Sequence, residues 1–96
     1  MARGEIGSAA IEDLDRLIRT LSLPADTRER VRRSLRPLAQ FPRLGPELAG
    51  RWAGFRFLLG PWRWLIVVYA CLEADRVVVV TVQDARASAS PTGERD

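Results

Sequence analysis

Arginine is the one base this sequence uses: all 15 basic residues are Arg, histidine and lysine are absent, and there is one cysteine. That inventory removes imidazole proton shuttles, lysine amine chemistry and Cys/His metal sets together, so no metal and no cofactor are expected. A guanidinium stays charged at any working pH. It grips phosphate or carboxylate in a two-pronged fashion but is a poor general base. The chemistry open to this chain is therefore the positioning and neutralising of anions. Its arginines are unevenly spread. Between Arg51 and Cys71 stand Arg51, Arg56 and Arg63 with no acid among them, Arg56 and Arg63 flank a Gly60-Pro61 turn, and Arg86 follows the last apolar run.

Other residues read two ways. Arg56 and Arg63 serve equally as solvated strand residues or as partners of Glu47 or Asp84. Arg32, Arg33 and Arg36 read as the wet side of a helix, with contact to nucleic acid or an acidic partner as the sharper alternative. Trp52, Trp62 and Trp64 suit packing first and base stacking second. Tyr69 shares the strand phase of Arg63 and defaults to core. Cys71, with no internal partner, reads as a small buried hydrophobe.

The elements that must position these residues fit in one domain. Ninety-six residues bury too little surface for two cores, while 47% hydrophobic and 28% charged content is enough for one. The net charge of +3 favours an anionic partner. A single cysteine and an N-terminus without the apolar core of a secretory signal suggest the reducing cytoplasm. The greasy stretch Trp52 to Leu72 is broken by Arg56, Arg63 and Gly60-Pro61, so no membrane span is expected.

From Ala9 to Leu21 the apolar residues Ile11, Leu14, Leu17, Ile18 and Leu21 recur at helical spacing, with Ser8 as N-cap and Glu12/Arg16 and Asp15/Arg19 as supporting pairs. Leu23-Pro24-Ala25-Asp26 ends this helix and opens a second, antiparallel one running to about Phe41, with Val31, Leu35, Leu38 and Phe41 inward. Pro37 predicts a kink or a tightened final turn there. The period then changes. Phe55 to Leu59, Trp62 to Leu72 and Arg76 to Gln83 are rich in branched and aromatic residues, and the short turns at Gly60-Pro61 and Glu73-Ala74-Asp75 dictate an antiparallel meander.

Residues 3 to 7 are a weak candidate for a further strand. The runs 65–68 and 77–80 are apolar at both parities, so both sheet faces want cover and one helical hairpin supplies only one. A partner protein is the expected second cover. Residues 87–96 carry no large apolar side chain, which predicts a flexible tail after a domain at 1–86. The expected fold class is α+β, with a helical hairpin packed on a small twisted antiparallel sheet in the order β-α-α-β-β-β, the first strand short or degenerate.

In this order, the phrases Phe41-Pro42-Arg43-Leu44-Gly45-Pro46-Glu47-Leu48-Ala49-Gly50, Trp52-Ala53-Gly54-Phe55-Arg56 and Gly60-Pro61-Trp62-Arg63-Trp64-Leu65-Ile66-Val67-Val68-Tyr69 are telling. Over residues 9–86 the chain resembles the RelE/ParE superfamily of bacterial toxins, matching the helix exit and the second and third strands of that family. The resemblance implies the toxin half of a type II toxin-antitoxin module, held inactive in the bacterial cytoplasm by a cognate antitoxin. A RelE-like member would be a ribosome-dependent endoribonuclease, an mRNA interferase that stops growth by cutting mRNA on the ribosome. A ParE-like member would inhibit DNA gyrase without nuclease activity, and an inactive relative would only bind its antitoxin. On the RelE pattern Arg56, Arg63 and Arg86 are the catalytic candidates and Arg51, Arg56 and Arg63 the RNA-binding ones. The chain departs from that pattern in having no lysine and in reading Arg86-Ala87-Ser88-Ala89-Ser90, without a tyrosine, after the last strand.

Overall fold

The computed structural model describes residues 3–73 and 76–86, so the tail expected at 87–96 and the centre of the turn at 73–75 lie outside the described residues. Strand β1 (Arg3–Ile6) leads into helix α1 (Ser8–Leu21), and helix α2 (Thr27–Ser34) is followed by a 3-10 turn at Arg36–Ala39. A second 3-10 turn, Gly50–Trp52, precedes β2 (Arg56–Leu59), β3 (Leu65–Leu72) and β4 (Arg76–Asp84). The sheet order is β1-β4-β3-β2. The meander of β2, β3 and β4 is antiparallel, while β1 joins the outer side of β4 in parallel, pairing Arg3 with Arg76 and Ile6 with Val79. That orientation follows from the helical hairpin, which carries the chain from one edge of the sheet to the other before the meander begins.

The weak strand exists because β4 offers an unpaired edge of valines beside it. Glu5 adds an ion pair to Arg76 at 3.2 Å. A β-bulge between Val68 and Tyr69 shifts the register, so that Val68 faces Thr81 and Tyr69 faces Val79. Bulges bend a strand and sharpen its twist.

The core is built from Ala10 and Leu14 of α1, Val31 of α2, Leu38, and Leu65, Val67, Tyr69, Val77, Val79 and Val82 of the sheet. Several local expectations are corrected. Gly7, not Ser8, holds the N-cap position of α1, and no side chain caps it. Ala10 is buried where Ile11 and Leu21 are exposed, because the small methyl lets the helix lie close on β4. Asp13 pairs with Arg16, and Asp15 reaches across the hairpin to Arg28 rather than along the helix to Arg19. Asp13 also accepts a hydrogen bond from the Thr81 hydroxyl, fastening α1 to β4.

Helix α2 starts at Thr27, whose hydroxyl donates to the Pro24 carbonyl at 2.7 Å, and it ends at Ser34, well short of Phe41. Pro37 cannot donate to an α-helical bond, and the chain tightens into the 3-10 turn around it, as its presence foretold. Phe41, expected inward, is 60% exposed as a result. Strand β3 begins at Leu65 instead of Trp62, since the turn from Gly60 is closed by Leu65 N–H donating to Trp62 and Gly60 N–H to Leu65.

The expected need for outside cover is also corrected at the sheet centre. Leu65, Ile66, Val67, Val68 and Tyr69 are all 0% exposed, so both parities of β3 are sealed. Ile66 and Val68 have Leu59 and Phe57 of β2 and Gln83 and Thr81 of β4 as their cross-strand neighbours. The apolar surplus surfaces at the rim instead, in Ile11, Leu21, Phe41, Leu44, Leu59 and Leu72. No helix among the described residues is long and apolar enough to cross a membrane.

Candidate functional site

The four nominated arginines do not converge. Arg56 opens β2, opposite Tyr69, and its guanidinium donates to the Gly45 carbonyl at 2.7 Å and to the Arg43 carbonyl at 3.3 Å. It binds a loop, not a carboxylate: neither Glu47 nor Asp84 is its side-chain partner, although Glu47 bridges Arg56 through the backbone. That loop is drawn tightly onto the sheet. Gly45 N–H donates to the Tyr69 hydroxyl at 2.9 Å, the Cys71 thiol donates to the Pro42 carbonyl, and a Cβ on Gly45 would lie 2.1 Å from the Phe57 carbonyl oxygen. Only glycine fits so close an approach. Burial pushes the Tyr69 hydroxyl above the usual tyrosine range, partly offset by the Gly45 N–H that it accepts. Tyr69 is thus core, and Cys71 is half-buried with its thiol engaged.

Arg51 is exposed on the short 3-10 turn before β2. Beside it the Trp52 indole packs edge-on against Phe55, with rings 6.2 Å apart, and its buried N–H finds no partner among the described residues.

Arg63 and Arg86 stand at the other end of the sheet. Arg63 is exposed in the Gly60–Trp64 turn and joins no ion pair among the described residues. The last strand is pinned to this turn by Ala85 N–H donating to the Trp64 carbonyl at 2.6 Å. This brings Arg86 back over the turn. Its guanidinium lies 4.3 Å from the Trp64 ring centroid, and both its Nε and one terminal nitrogen donate to the Asp84 carboxylate at 2.9 Å. The Arg86 backbone N–H donates to the same carboxylate.

Those bonds hold the Asp84 carboxyl below the usual carboxylate range, with its partial burial opposing, and raise the already high pKa of Arg86. Trp62 and Trp64 stack at 5.6 Å with planes only 5° apart, and Arg30 of α2 lies 5.8 Å from the Trp62 ring. The result is a column of two indoles bracketed by two guanidinium groups. A cleft of about 450 Å³ next to it is lined by Asp26, Arg30, Arg33, Ser34 and Pro61.

Sequence reading singled out Arg63, Arg86 and the tryptophans but not their combination. Trp62-x-Trp64 and Asp84-x-Arg86 are visible as close pairs in the sequence, but both run into turns, so strand alternation does not predict that their side chains meet. Arg30 carries no signal, because only the packing of α2 beside the β2–β3 turn brings it there. This end of the molecule can hold an anion or a flat aromatic group on fixed cations; the carboxylates at hand among the described residues are Asp26 in the cleft, paired with Arg30, and Asp84, whose depressed pKa makes it a weak base. Among the described residues no three of His, Cys, Asp and Glu come together to hold a metal.

Comparison with known proteins gives no match to a protein-family model and none to a curated protein. Solved structures do match. The chromosomal ParDE toxin-antitoxin system of Pseudomonas aeruginosa aligns with a TM-score of 0.65 at 14% identity, covering 88% of this chain and 96% of that one. A conserved hypothetical protein of Helicobacter pylori aligns at 0.60 and 19%, over 88% and 94% of the two chains. The RelBE2 toxin-antitoxin complex of Mycobacterium tuberculosis aligns at 0.57 and 20%, over 86% and 96%. With two helices on a four-stranded sheet and alignment over nearly the whole length of these structures, the chain has the fold of the RelE/ParE toxins.

Proposed function

We propose that this protein is the toxin of a type II toxin-antitoxin module and that it arrests growth by ribosome-dependent cleavage of mRNA. The observation that carries the reading is the pairing of exposed Arg63 with the Arg86–Trp64 stack at one end of a RelE/ParE fold. In this reading Arg63 and Arg86 hold the scissile phosphate and neutralise charge developing during in-line attack by the neighbouring 2′-hydroxyl. Arg56 contributes by fixing the Arg43–Gly45 loop instead of touching RNA. The antitoxin is the expected partner, with toxin-antitoxin pairs among the structural relatives as support.

A second reading, inhibition of DNA gyrase without nuclease activity, draws on a specific observation. Arg56 is committed to the scaffold, and no effective general base stands beside Arg63 and Arg86 among the described residues. Induction of the wild-type chain and of the Arg63→Ala/Arg86→Ala pair in cells tests the choice. Loss of protein synthesis and of growth, both restored by the double substitution, supports mRNA cleavage. Growth arrest that survives the double substitution, with translation intact and DNA-damage signals rising, rejects it.

A further inference from the structure

The column of Arg30, Trp62, Trp64 and Arg86 has an unusual termination. Its inner members are half-buried, yet its last member is exposed, and three hydrogen bonds to one carboxylate fix where that guanidinium sits. An arginine free to rotate in water binds anions from any direction at an entropic cost. One pinned above an indole is a flat cation held in place, with an exposed outer side. Asp84 accepts from Nε and one terminal nitrogen, so the side-on edge of the guanidinium is occupied and its orientation is set. What remains for a ligand is the flat face together with the end-on edge formed by the two terminal nitrogens.

We propose that the outer face of Arg86 is a stacking platform for an unpaired nucleobase, which adds the next layer to the column, while Arg63 in the adjoining turn takes a phosphate of the same strand. This deepens the RNA-directed reading above and rests on it: Arg86 engages the strand through a base as well as by charge. Asp84 and Trp64 are positioning residues that hold the platform flat. Stacking on guanidinium planes and aromatic rings is sequence-tolerant, because every base offers a π-face.

The test separates base from charge. A short fluorescent single-stranded RNA of adenines, and an abasic strand of equal length and charge, are titrated with the full chain at about 0.1 M salt, a range in which phosphate contacts still contribute. Stacking of one base corresponds to roughly 5- to 150-fold in affinity, so the adenine strand should bind at least about fivefold tighter than the abasic one. Arg86→Lys keeps the charge and loses the plane. It should abolish that ratio, whatever change it makes to the affinity for the abasic strand.

Asp84→Asn, which frees the guanidinium without removing it, should reduce the ratio part of the way, with an unchanged circular dichroism spectrum confirming the fold. Equal binding of both strands by the wild type overturns the platform but leaves a cationic RNA surface standing. A ratio that persists in Arg86→Lys also overturns it. Binding of neither strand removes the RNA-directed reading and the platform together. Binding of poly-glutamate as tight as that of adenine RNA assigns this end of the molecule to an acidic protein partner and refutes the inference.

Discussion

Replacing Tyr69 with phenylalanine removes one oxygen from a fully enclosed site, and its cost can be worked out in advance. The hydroxyl accepts the Gly45 N–H at 2.9 Å, and Gly45 is itself buried, so the amide is left without water or a substitute acceptor. A buried donor stranded in this way costs about 1–3 kcal/mol, and the ring keeps all its apolar contacts, so the loss should fall in the lower half of that range. For a domain of this size that corresponds to a fall in Tm of roughly 5–15 °C. Urea unfolding followed by tryptophan fluorescence should give a lower midpoint with an unchanged m-value.

A second signature comes from titration. Burial raises the folded-state pKa of Tyr69 above its unfolded value, so its contribution is fully present below about pH 10 and is lost as pH rises through the folded pKa. Wild-type stability should fall more steeply in strong alkali than that of Tyr69→Phe, by up to one proton or about 1.4 kcal/mol per pH unit. A substitution that costs under about 0.3 kcal/mol, well outside the penalty for an orphaned amide, and leaves the alkaline slope unchanged would refute the claim that this hydroxyl anchors the loop.

Four further outcomes are expected. Gly45→Ala should destabilise by more than about 2 kcal/mol, or prevent folding, because its methyl would meet the Phe57 backbone at 2.1 Å; thermal melts check this. Thr81→Val should cost about 1–2 kcal/mol in urea unfolding by freeing α1 from β4. Ser22 ends α1 with φ of 53°, so Ser22→Gly should stabilise by roughly 0.5–1 kcal/mol in the same assay. The Asp84 carboxyl has a lowered folded pKa, so its contribution exists above the unfolded value near 4 and is lost as pH falls through the folded one. Acid titration of stability should therefore be shallower in Asp84→Asn than in the wild type.

Much of the fold was legible because it rests on periodicity. The apolar repeat from Ile11 to Leu21 marks α1, and the unbroken valine and isoleucine runs mark β3 and β4, since burial is what those patterns record. Local chemistry at Pro37 correctly signalled a tightened turn. What failed depends on tertiary context. The inward place assigned to Phe41 assumed a continuous helix, and the 3-10 turn rotates that residue outward. The ion pairs of α1 were read along the helix, but Arg28 on the neighbouring helix is a nearer partner for Asp15. The need for a covering partner was inferred from strand hydropathy, yet Ile66 and Val68 are already fully enclosed at the centre of the sheet.

The candidate site divides in the same way. The arginines were visible as residue types, and the Asp84-x-Arg86 and Trp62-x-Trp64 spacings were available to be read. The roles were not. Arg56 looks like its fellows in sequence but is distinguished by the Gly45 and Arg43 carbonyls, which come from a loop whose proline and glycine pattern marks it as a loop but does not say that it docks on β2. Arg86 acquires its fixed position from an indole at the far end of a different strand connection.

The most direct test is to add the purified protein to a cell-free translation reaction and, separately, to a gyrase supercoiling reaction. Protein synthesis should stop and mRNA fragments should accumulate only when ribosomes are present, with both effects lost in Arg63→Ala/Arg86→Ala, while supercoiling proceeds normally. Blocked supercoiling alongside undisturbed translation and intact mRNA would contradict the mRNA-cleavage reading.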